Sequence, residues 1–191
     1  MWSAIETAIF TSSDERKYLG FAIMRRIIPL LTPDLLPVVF SPNARRCLTN
    51  HLANSSNKLH GAASLTLQQF RDTASSSSSF AVALLKLLLE EPRFDKLTKT
   101  DTVSSLVGTL DVQGCVDFLA FLLPAACEEN GQWAFDAVIS LPTHAKQPLP
   151  SSVANLVVSW YVDATCFTDG PGASLSPASR RHAVSRLAGL I

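Results

Sequence analysis

The carboxylates are the first residues of this chain that could do chemistry, because nucleotidyl transfer needs acidic side chains clustered on two metal ions. Asp111 and Asp117 are six positions apart and fall near opposite ends of a helical pattern. Glu128 and Glu129 stand where a helix is expected to end, and we interpret them as part of a solvated helix cap. The sequence therefore predicts no catalytic carboxylate cluster.

The histidines and cysteines also form no recognised site. His51 and His60 have no Cys, Asp or Glu beside them, so we expect them to pack at helix edges between hairpins rather than to bind a metal. There is no Gly-rich phosphate loop and no nucleophile with a nearby His/Asp pair. The cysteines show no CxxC pair and no zinc spacing, which predicts reduced and mostly buried thiols in an intracellular compartment. They are Cys47, Cys115, Cys127 and Cys166. We predict no catalytic residue, no metal, no cofactor and no small-molecule substrate.

The basic residues are the candidates for binding. Residues 1–100 hold twelve Lys and Arg against eight Asp and Glu, whereas residues 101–191 hold four against eight. Between residues 16 and 71 eight residues are basic and only Asp34 is acidic. Such a patch can attract nucleic acid or an acidic partner segment, because arginine donates two hydrogen bonds at once to a phosphate or carboxylate. The candidate binding face comprises Arg25, Arg26, Arg45, Arg46, Lys58 and Arg71.

Two structural interpretations of these basic residues stay open. They can form a solvated helix surface without a ligand. Alternatively, Arg46 can tether neighbouring loops by donating hydrogen bonds to the carbonyl groups at a helix C-terminus.

The elements that must position these residues are helices. Apolar residues recur at i, i+3, i+4 and i+7 throughout the chain, and no useful stretch alternates with period two. Ser13 and Asp14 begin one such helix, and Ser41-Pro42-Asn43 begins another. We expect the apolar stripes at Leu84–Leu88 and Leu119–Leu123 to be buried between helix layers. The predicted class is all-α, with about eight to ten helices packed as antiparallel hairpins.

The helix lengths and short connections are typical of an α-solenoid of irregular HEAT-like or armadillo-like hairpins. Hydrophobic residues make up 47% of the chain and charged residues only 17%. A chain with so few charges is expected to bury part of its surface against another structure, which in a helical-repeat array is the next repeat. The last five residues are apolar and lack the polar face of a terminal repeat. We therefore expect residues 1–191 to be part of one helical-repeat domain, and a fragment of a longer solenoid.

A string of short motifs links the chain to a known family. The motifs are Tyr18-Leu19-Gly20-Phe21, Leu35-Leu36-Pro37, Phe40-Ser41-Pro42-Asn43, Arg46-Cys47-Leu48, Asn50-His51-Leu52, Leu59-His60 with Ala62-Ala63, and Phe94 to Thr100 followed by Val103. In this order they resemble an internal piece of the Myb-binding protein 1A family, which is also called DNA polymerase phi or DNA polymerase V. The similarity decreases after about Leu110, although Gln132-Trp133 and the helix around Trp160 fit it.

The resemblance implies a non-enzymatic, nucleolar helical-repeat scaffold in rRNA gene transcription and ribosome biogenesis. Its expected partners are transcription or ribosome-assembly factors, with rDNA or pre-rRNA as further candidates, and its expected location is the nucleus and nucleolus. Two alternatives remain at this point. The older family name implies a DNA-directed nucleotidyltransferase, and helical repeats also build transport adaptors. The N-terminus has no basic n-region, and no apolar stretch reaches transmembrane length, so no signal peptide and no membrane association are expected.

Overall fold

Helices are the only regular secondary structure in the described part of the chain. The computed structural model describes residues 2–126, 131–144, 151–166 and 175–187. These residues form twelve α-helices and one 3₁₀ turn at Ile28–Leu30, without a β-strand among them. The predicted all-α class is confirmed. The helices are α1 (Trp2–Phe10), α2 (Asp14–Ile27), α3 (Leu36–Val39), α4 (Pro42–Leu52), α5 (His60–Ser75), α6 (Ser78–Leu88), α7 (Phe94–Thr98), α8 (Thr102–Val107), α9 (Val112–Ala126), α10 (Gln132–His144), α11 (Ser151–Cys166) and α12 (Pro177–Leu187).

The chain divides into two compact units, Met1–Leu106 and Val107–Ile191. In the first unit, helices contact one another in a repeating order: α1 packs on α4, α2 on α5, α3 on α6, and α4 on α7. α1 and α4 begin at residues 2 and 42, and α2 and α5 begin at residues 14 and 60. These starts are spaced by about 40 to 46 residues, which is close to the length of one HEAT or armadillo repeat. α7 begins at residue 94 and comes later than this spacing.

α1 and α2 approach closely at Gly20. This glycine is buried, and a Cβ atom added to it would lie 2.7 Å from Cε1 of Phe10 and would also meet the side chain of Ile9. The neighbouring Phe21 is fully buried, and its ring centroid lies 5.9 Å from that of Phe10. Gly20 is therefore required by the close packing of two helices, where even an alanine methyl group lacks space.

The beginning of α4 is tied to α1 and α5. Ser41 caps the helix by accepting a hydrogen bond from the backbone N–H of Ala44 at 3.3 Å, as the sequence predicts. The Ser41 hydroxyl also donates to Glu6 of α1 at 2.7 Å, and the Asn43 amide donates to the same carboxylate at 3.3 Å. Phe40 is buried against Phe70 of α5, with ring centroids 4.6 Å apart. The motif Phe40-Ser41-Pro42-Asn43 thus joins three helices.

In the second unit, α9 packs on α10 and α11, and α12 packs on α10 and α11. The Tyr161 hydroxyl donates a buried hydrogen bond of 2.6 Å to the carbonyl oxygen of Phe135, which links α11 to α10. Burial raises the pKa of the Tyr161 phenol above its usual range. Asp136 of α10 accepts hydrogen bonds from Arg186 at 2.7 Å and from His182 at 3.0 Å, and both donors lie on α12.

Most leucines of the predicted apolar stripes are buried, whereas Leu87 and Leu123 are only partly buried. Leu84, Leu85 and Leu88 are buried in the first unit, and Leu119 and Leu122 are buried in the second. Leu123, which we expected to be buried with them, is only partly buried. Leu123 follows Leu122 directly, and a rotation of about 100° per residue turns it from the core towards the helix edge.

Candidate functional site

The six basic residues that the sequence singles out have three kinds of surroundings. Arg25 and Arg26 lie in the last turn of α2. The negative C-terminal end of the helix dipole stabilises positive charges at these positions. Arg26 is exposed and Arg25 is partly buried. Neither makes a hydrogen bond or an ion pair within the described part of the chain. Both guanidinium groups are therefore available to a ligand.

Arg45 and Arg71 are engaged inside the protein. Arg45 of α4 forms a two-pronged ion pair with Glu90, which follows α6; one of its two bonds, from Nη1 to Oε1, measures 2.9 Å. The Arg45 side chain is only 14% exposed. Arg71 of α5 contacts Asp101 at 3.3 Å and the Ser105 hydroxyl at 3.1 Å. These two arginines connect helices to one another, and this leaves them fewer donors for a ligand.

Lys58 and Arg46 are exposed to solvent. Lys58 lies near Glu15, whose pKa is held below its usual range mainly by a hydrogen bond from the Ser13 side chain, with a smaller contribution from the charge of Lys58. Arg46 has no hydrogen-bond or ion-pair partner among the described residues. The interpretation in which Arg46 tethers a neighbouring loop therefore has no supporting contact among the described residues. Its neighbour Arg45 performs that role, and it bonds a carboxylate rather than helix carbonyl groups.

A groove in the first unit brings the two α4 arginines together. It has a volume of about 310 Å³ and lies between α4, the end of α6 and α7. Arg45 and Arg46 line it from α4, and Glu90 and Glu91 line it from the turn after α6. The apolar part includes Leu87, Leu88, Phe94 and Leu97. Of the six candidate basic residues, the groove is therefore lined only by Arg45 and Arg46. The other four, Arg25, Arg26, Lys58 and Arg71, lie outside the lining.

The two histidines of the motif hold the connection between α4 and α5. Nδ1 of His51 lies 2.7 Å from the side-chain oxygen of Asn57, and that oxygen also accepts the backbone N–H of Leu59 at 2.9 Å. Nδ1 of His60 lies 3.2 Å from the carbonyl oxygen of His51. The His51 and Phe21 rings lie perpendicular to one another in an edge-to-face pair, at a centroid distance of 6.0 Å. These contacts agree with the packing role that we expected for both residues.

The remaining candidates for chemistry occupy structural positions. Asp111 accepts the backbone N–H of Gly114 at 2.7 Å near the beginning of α9, and Asp117 accepts the Gln113 amide at 2.8 Å. Among the described residues there is no group of three or more His, Cys, Asp or Glu that could hold a metal ion. Glu128 and Glu129 lie outside the described residues.

Two of the four cysteines can be placed. Cys47 and Cys115 are buried free thiols, as expected, and burial raises the pKa of Cys47 to about 11. Cys127 lies outside the described residues, and the side chain of Cys166 is not described. A thiol with so high a pKa is a poor nucleophile at neutral pH.

Asp95 caps a helix, and the sequence does not reveal this role. Its carboxylate accepts the backbone N–H of Val103 and the hydroxyl of Thr100, and so caps the beginning of α8. Burial raises the pKa of Asp95 above its usual range, although these hydrogen bonds oppose the shift. Lys99, in the turn between α7 and α8, adopts a left-handed conformation with φ of 56°. The residues Thr100-Asp101-Thr102 are typical of a helix start. The sequence does not indicate, however, that Asp95, eight residues before Val103, accepts the backbone N–H of that residue.

No helix within the described ranges is both long and apolar enough to cross a membrane.

A family model matches the chain from residue 2 to residue 191, and that model describes DNA polymerase phi. The chain belongs to the DNA polymerase phi family. The resemblance that the motifs indicate is therefore confirmed. No solved structure gives a significant match.

Two curated relatives come from yeasts. The "rDNA transcriptional regulator pol5" of Schizosaccharomyces pombe is 28% identical over 159 residues, which cover 73% of this chain and 17% of the relative. The "rDNA transcriptional regulator POL5" of Saccharomyces cerevisiae is 32% identical over 120 residues, which cover 59% of this chain and 12% of the relative. The chain thus spans less than a fifth of the length of these relatives. Both are named as regulators rather than as polymerases, which agrees with the expectation of a protein that is not an enzyme.

Proposed function

We propose that this chain is part of a non-enzymatic helical-repeat scaffold that acts in the transcription of ribosomal RNA genes. The observation that carries the proposal is the family match over residues 2–191, together with relatives that are named as rDNA transcriptional regulators. Such a role places the protein in the nucleus and, where rDNA is transcribed, in the nucleolus. We also propose a role in ribosome biogenesis, which the family resemblance implies.

The regular way in which helices contact one another along the chain supports a repeat architecture. In the first unit, each of the helices α1 to α4 contacts the α-helix that comes three helices later in the chain. A stack of three-helix units would produce this pattern. We propose that the whole chain, residues 1–191, is one part of a longer HEAT-like or armadillo-like array. Arrays of this kind present extended surfaces to partner proteins and need no catalytic centre.

The basic residues supply the proposed binding face. Arg25, Arg26 and Arg46 have no partners among the described residues and can reach a ligand, whereas Arg45 and Arg71 already hold acidic partners. Transcription or ribosome-assembly factors are the proposed partners, with rDNA or pre-rRNA as further ligands of Arg25 and Arg26. No observation on the described residues favours a nucleotidyltransferase or a transport adaptor over this proposal.

A segment exchange in fission yeast tests the proposal. The matching segment of the yeast regulator would be replaced by this chain, the endogenous protein would be depleted, and new pre-rRNA would be measured by pulse labelling. We expect the exchange to restore pre-rRNA synthesis, and the same exchange carrying Leu84→Asp to fail, because Leu84 is fully buried. A stable chimaera that occupies rDNA but leaves synthesis at the depleted level would contradict the proposal.

A further inference from the structure

We propose that the groove between α4 and α7 binds a short peptide segment of a protein partner, in which an acidic side chain stands next to a large apolar one. The inference rests on the proposed scaffold function and names the class of partner that this part of the scaffold takes. Three features of the groove carry it: its size, its apolar surface and the state of its charges.

The size and the apolar surface fit a few side chains. A volume of about 310 Å³ is near the lower end of the range of about 300–1,000 Å³ for ligand pockets. Leu97 is 43% exposed and Leu87 is partly buried, while Phe94 and Leu88 are buried beside them. Covering the exposed part of Leu97 and Leu87 with an apolar side chain removes apolar surface from water and favours binding.

The charges of the groove select an acidic group at one position only. Arg45 is neutralised by its two bonds to Glu90, so Arg46 is the guanidinium of this lining that has no partner among the described residues. A carboxylate of the partner can accept two hydrogen bonds from the planar fork of Arg46. Glu91, exposed in the turn after α6, gives the opposite wall a negative charge.

The same charges disfavour a nucleic acid in this groove. Binding of a phosphate backbone depends on several cations that replace counterions, whereas the lining holds two arginines and two glutamates. Binding of single-stranded nucleic acid also relies on exposed aromatic rings that stack with bases. The aromatic side chain of the lining, Phe94, is only 3% exposed. A peptide with one acid beside one apolar residue matches the groove better than a polyanion does.

Fluorescence anisotropy with the purified 191-residue chain tests the proposal. The probe is a fluorescein-labelled alanine peptide that contains one Asp next to one Leu. A twin peptide with Lys in place of Asp and a single-stranded RNA oligonucleotide serve as the other probes. We expect the Asp peptide to bind more tightly than either, and Arg46→Glu to weaken it about ten-fold or more, as for the loss of a charge-assisted hydrogen bond. Leu97→Asp should weaken it similarly.

Matched controls separate the groove from general charge and folding effects. Arg16→Glu makes the same charge change at an exposed position outside the lining, and Leu30→Asp makes the same apolar-to-acid change at a site that is 81% exposed. Both should bind the Asp peptide like the parent chain, and thermal unfolding should show that all four variants are folded.

Three outcomes would overturn the proposal. The first is that the Asp peptide fails to bind the parent chain, and the second is that it binds Arg46→Glu with unchanged affinity. The third is that RNA binds more tightly than the peptide and is lost in Arg46→Glu, which would assign the groove to nucleic acid. Because the purified chain is used, each of these results is independent of pre-rRNA synthesis in the segment exchange, so the two proposals can fail separately.

Discussion

The Asp95 carboxylate accepts the backbone N–H of Val103 with both of its oxygens, at 3.2 and 2.9 Å. Asp95 belongs to α7 and Val103 to α8, so one side chain fixes the turn between two short helices. The Thr100 hydroxyl donates to the same carboxylate at 3.1 Å. These contacts give Asp95, Thr100 and Val103 a structural role, because they hold the turn between α7 and α8.

Removing this cap should destabilise the first unit. In Asp95→Ala the N–H of Val103 loses its acceptor, and we expect the free energy of unfolding to fall by about 1–3 kcal/mol. Urea unfolding followed by circular dichroism measures the change. Asp72→Ala is a suitable control, because the Asp72 side chain is exposed and bonds only Gln68 on its own helix among the contacts described. An equal decrease in the free energy of unfolding of the two variants would show that the Asp95 cap adds no stability beyond that of a surface hydrogen bond.

The charge of Asp95 should also impose a pH dependence. Burial raises its folded pKa above the unfolded value of about 3.9, so the folded state holds the proton more tightly. This group therefore stabilises the fold at low pH, and its contribution is lost as the pH rises through the folded pKa. Asp95→Asn keeps an acceptor for Val103 but removes the titration. The stability of the parent chain relative to Asp95→Asn should thus decrease from about pH 4 towards neutral pH. A difference that stays constant or increases would contradict this expectation.

Two glycines in helices should respond in opposite ways to alanine. In Gly20→Ala the new methyl group meets Phe10 and Ile9. Overpacking costs about 1–3 kcal/mol and the gain in helix propensity offsets about 1 kcal/mol of it, so the variant should be destabilised by up to about 2 kcal/mol. In Gly61→Ala the added carbon meets nothing within 4 Å apart from its chain neighbours and the backbone of its own helix, and stability should rise by up to about 1 kcal/mol. Thermal unfolding of both variants measures the difference, and a stabilised Gly20→Ala would show that α1 and α2 have room between them.

Adjacent leucines of α9 should differ in their tolerance of a charge. Leu122 is fully buried, so Leu122→Asp leaves an unpaired carboxylate in the core and should cost several kcal/mol, on the order of 3–5. Leu123 is partly buried and can turn an Asp side chain towards water, so Leu123→Asp should cost roughly 1 kcal/mol. Chemical unfolding of the two variants makes the comparison. If Leu123→Asp were the more damaging change, our assignment of the buried face of α9 would be wrong.

The adjacent arginines of α4 should also differ. Arg45→Glu places a carboxylate against Glu90 and should lower the free energy of unfolding by about 1 kcal/mol or more, because the lost pair is two-pronged and Arg45 is largely buried. The double variant Arg45→Glu with Glu90→Arg should recover part of this loss. Arg46→Glu, at an exposed position without a partner among the described residues, should stay within about 0.5 kcal/mol of the parent. If the double variant recovered nothing, the ion pair would not contribute to stability.

The sequence by itself determined the all-helical class and the family, although the described residues form twelve α-helices where we predicted about eight to ten. Apolar spacing of 3 and 4 residues and the serines before α2, α4 and α6 are properties of neighbouring residues, so the pattern indicates the class and several helix starts without knowledge of packing. The ordered string of motifs indicated the family, which the match over residues 2–191 confirms.

Only the tertiary structure decided which charges are free. Arg45 and Arg46 have the same chemistry, and nothing in the sequence distinguishes them. A rotation of about 100° between consecutive helix positions directs Arg45 to Glu90, 45 residues later in the chain, and leaves Arg46 exposed in the groove. The burial of Asp95 arises in the same way, because it depends on how α7 and α8 meet. Contacts between distant residues follow from the packing of whole helices, which local sequence spacing does not encode.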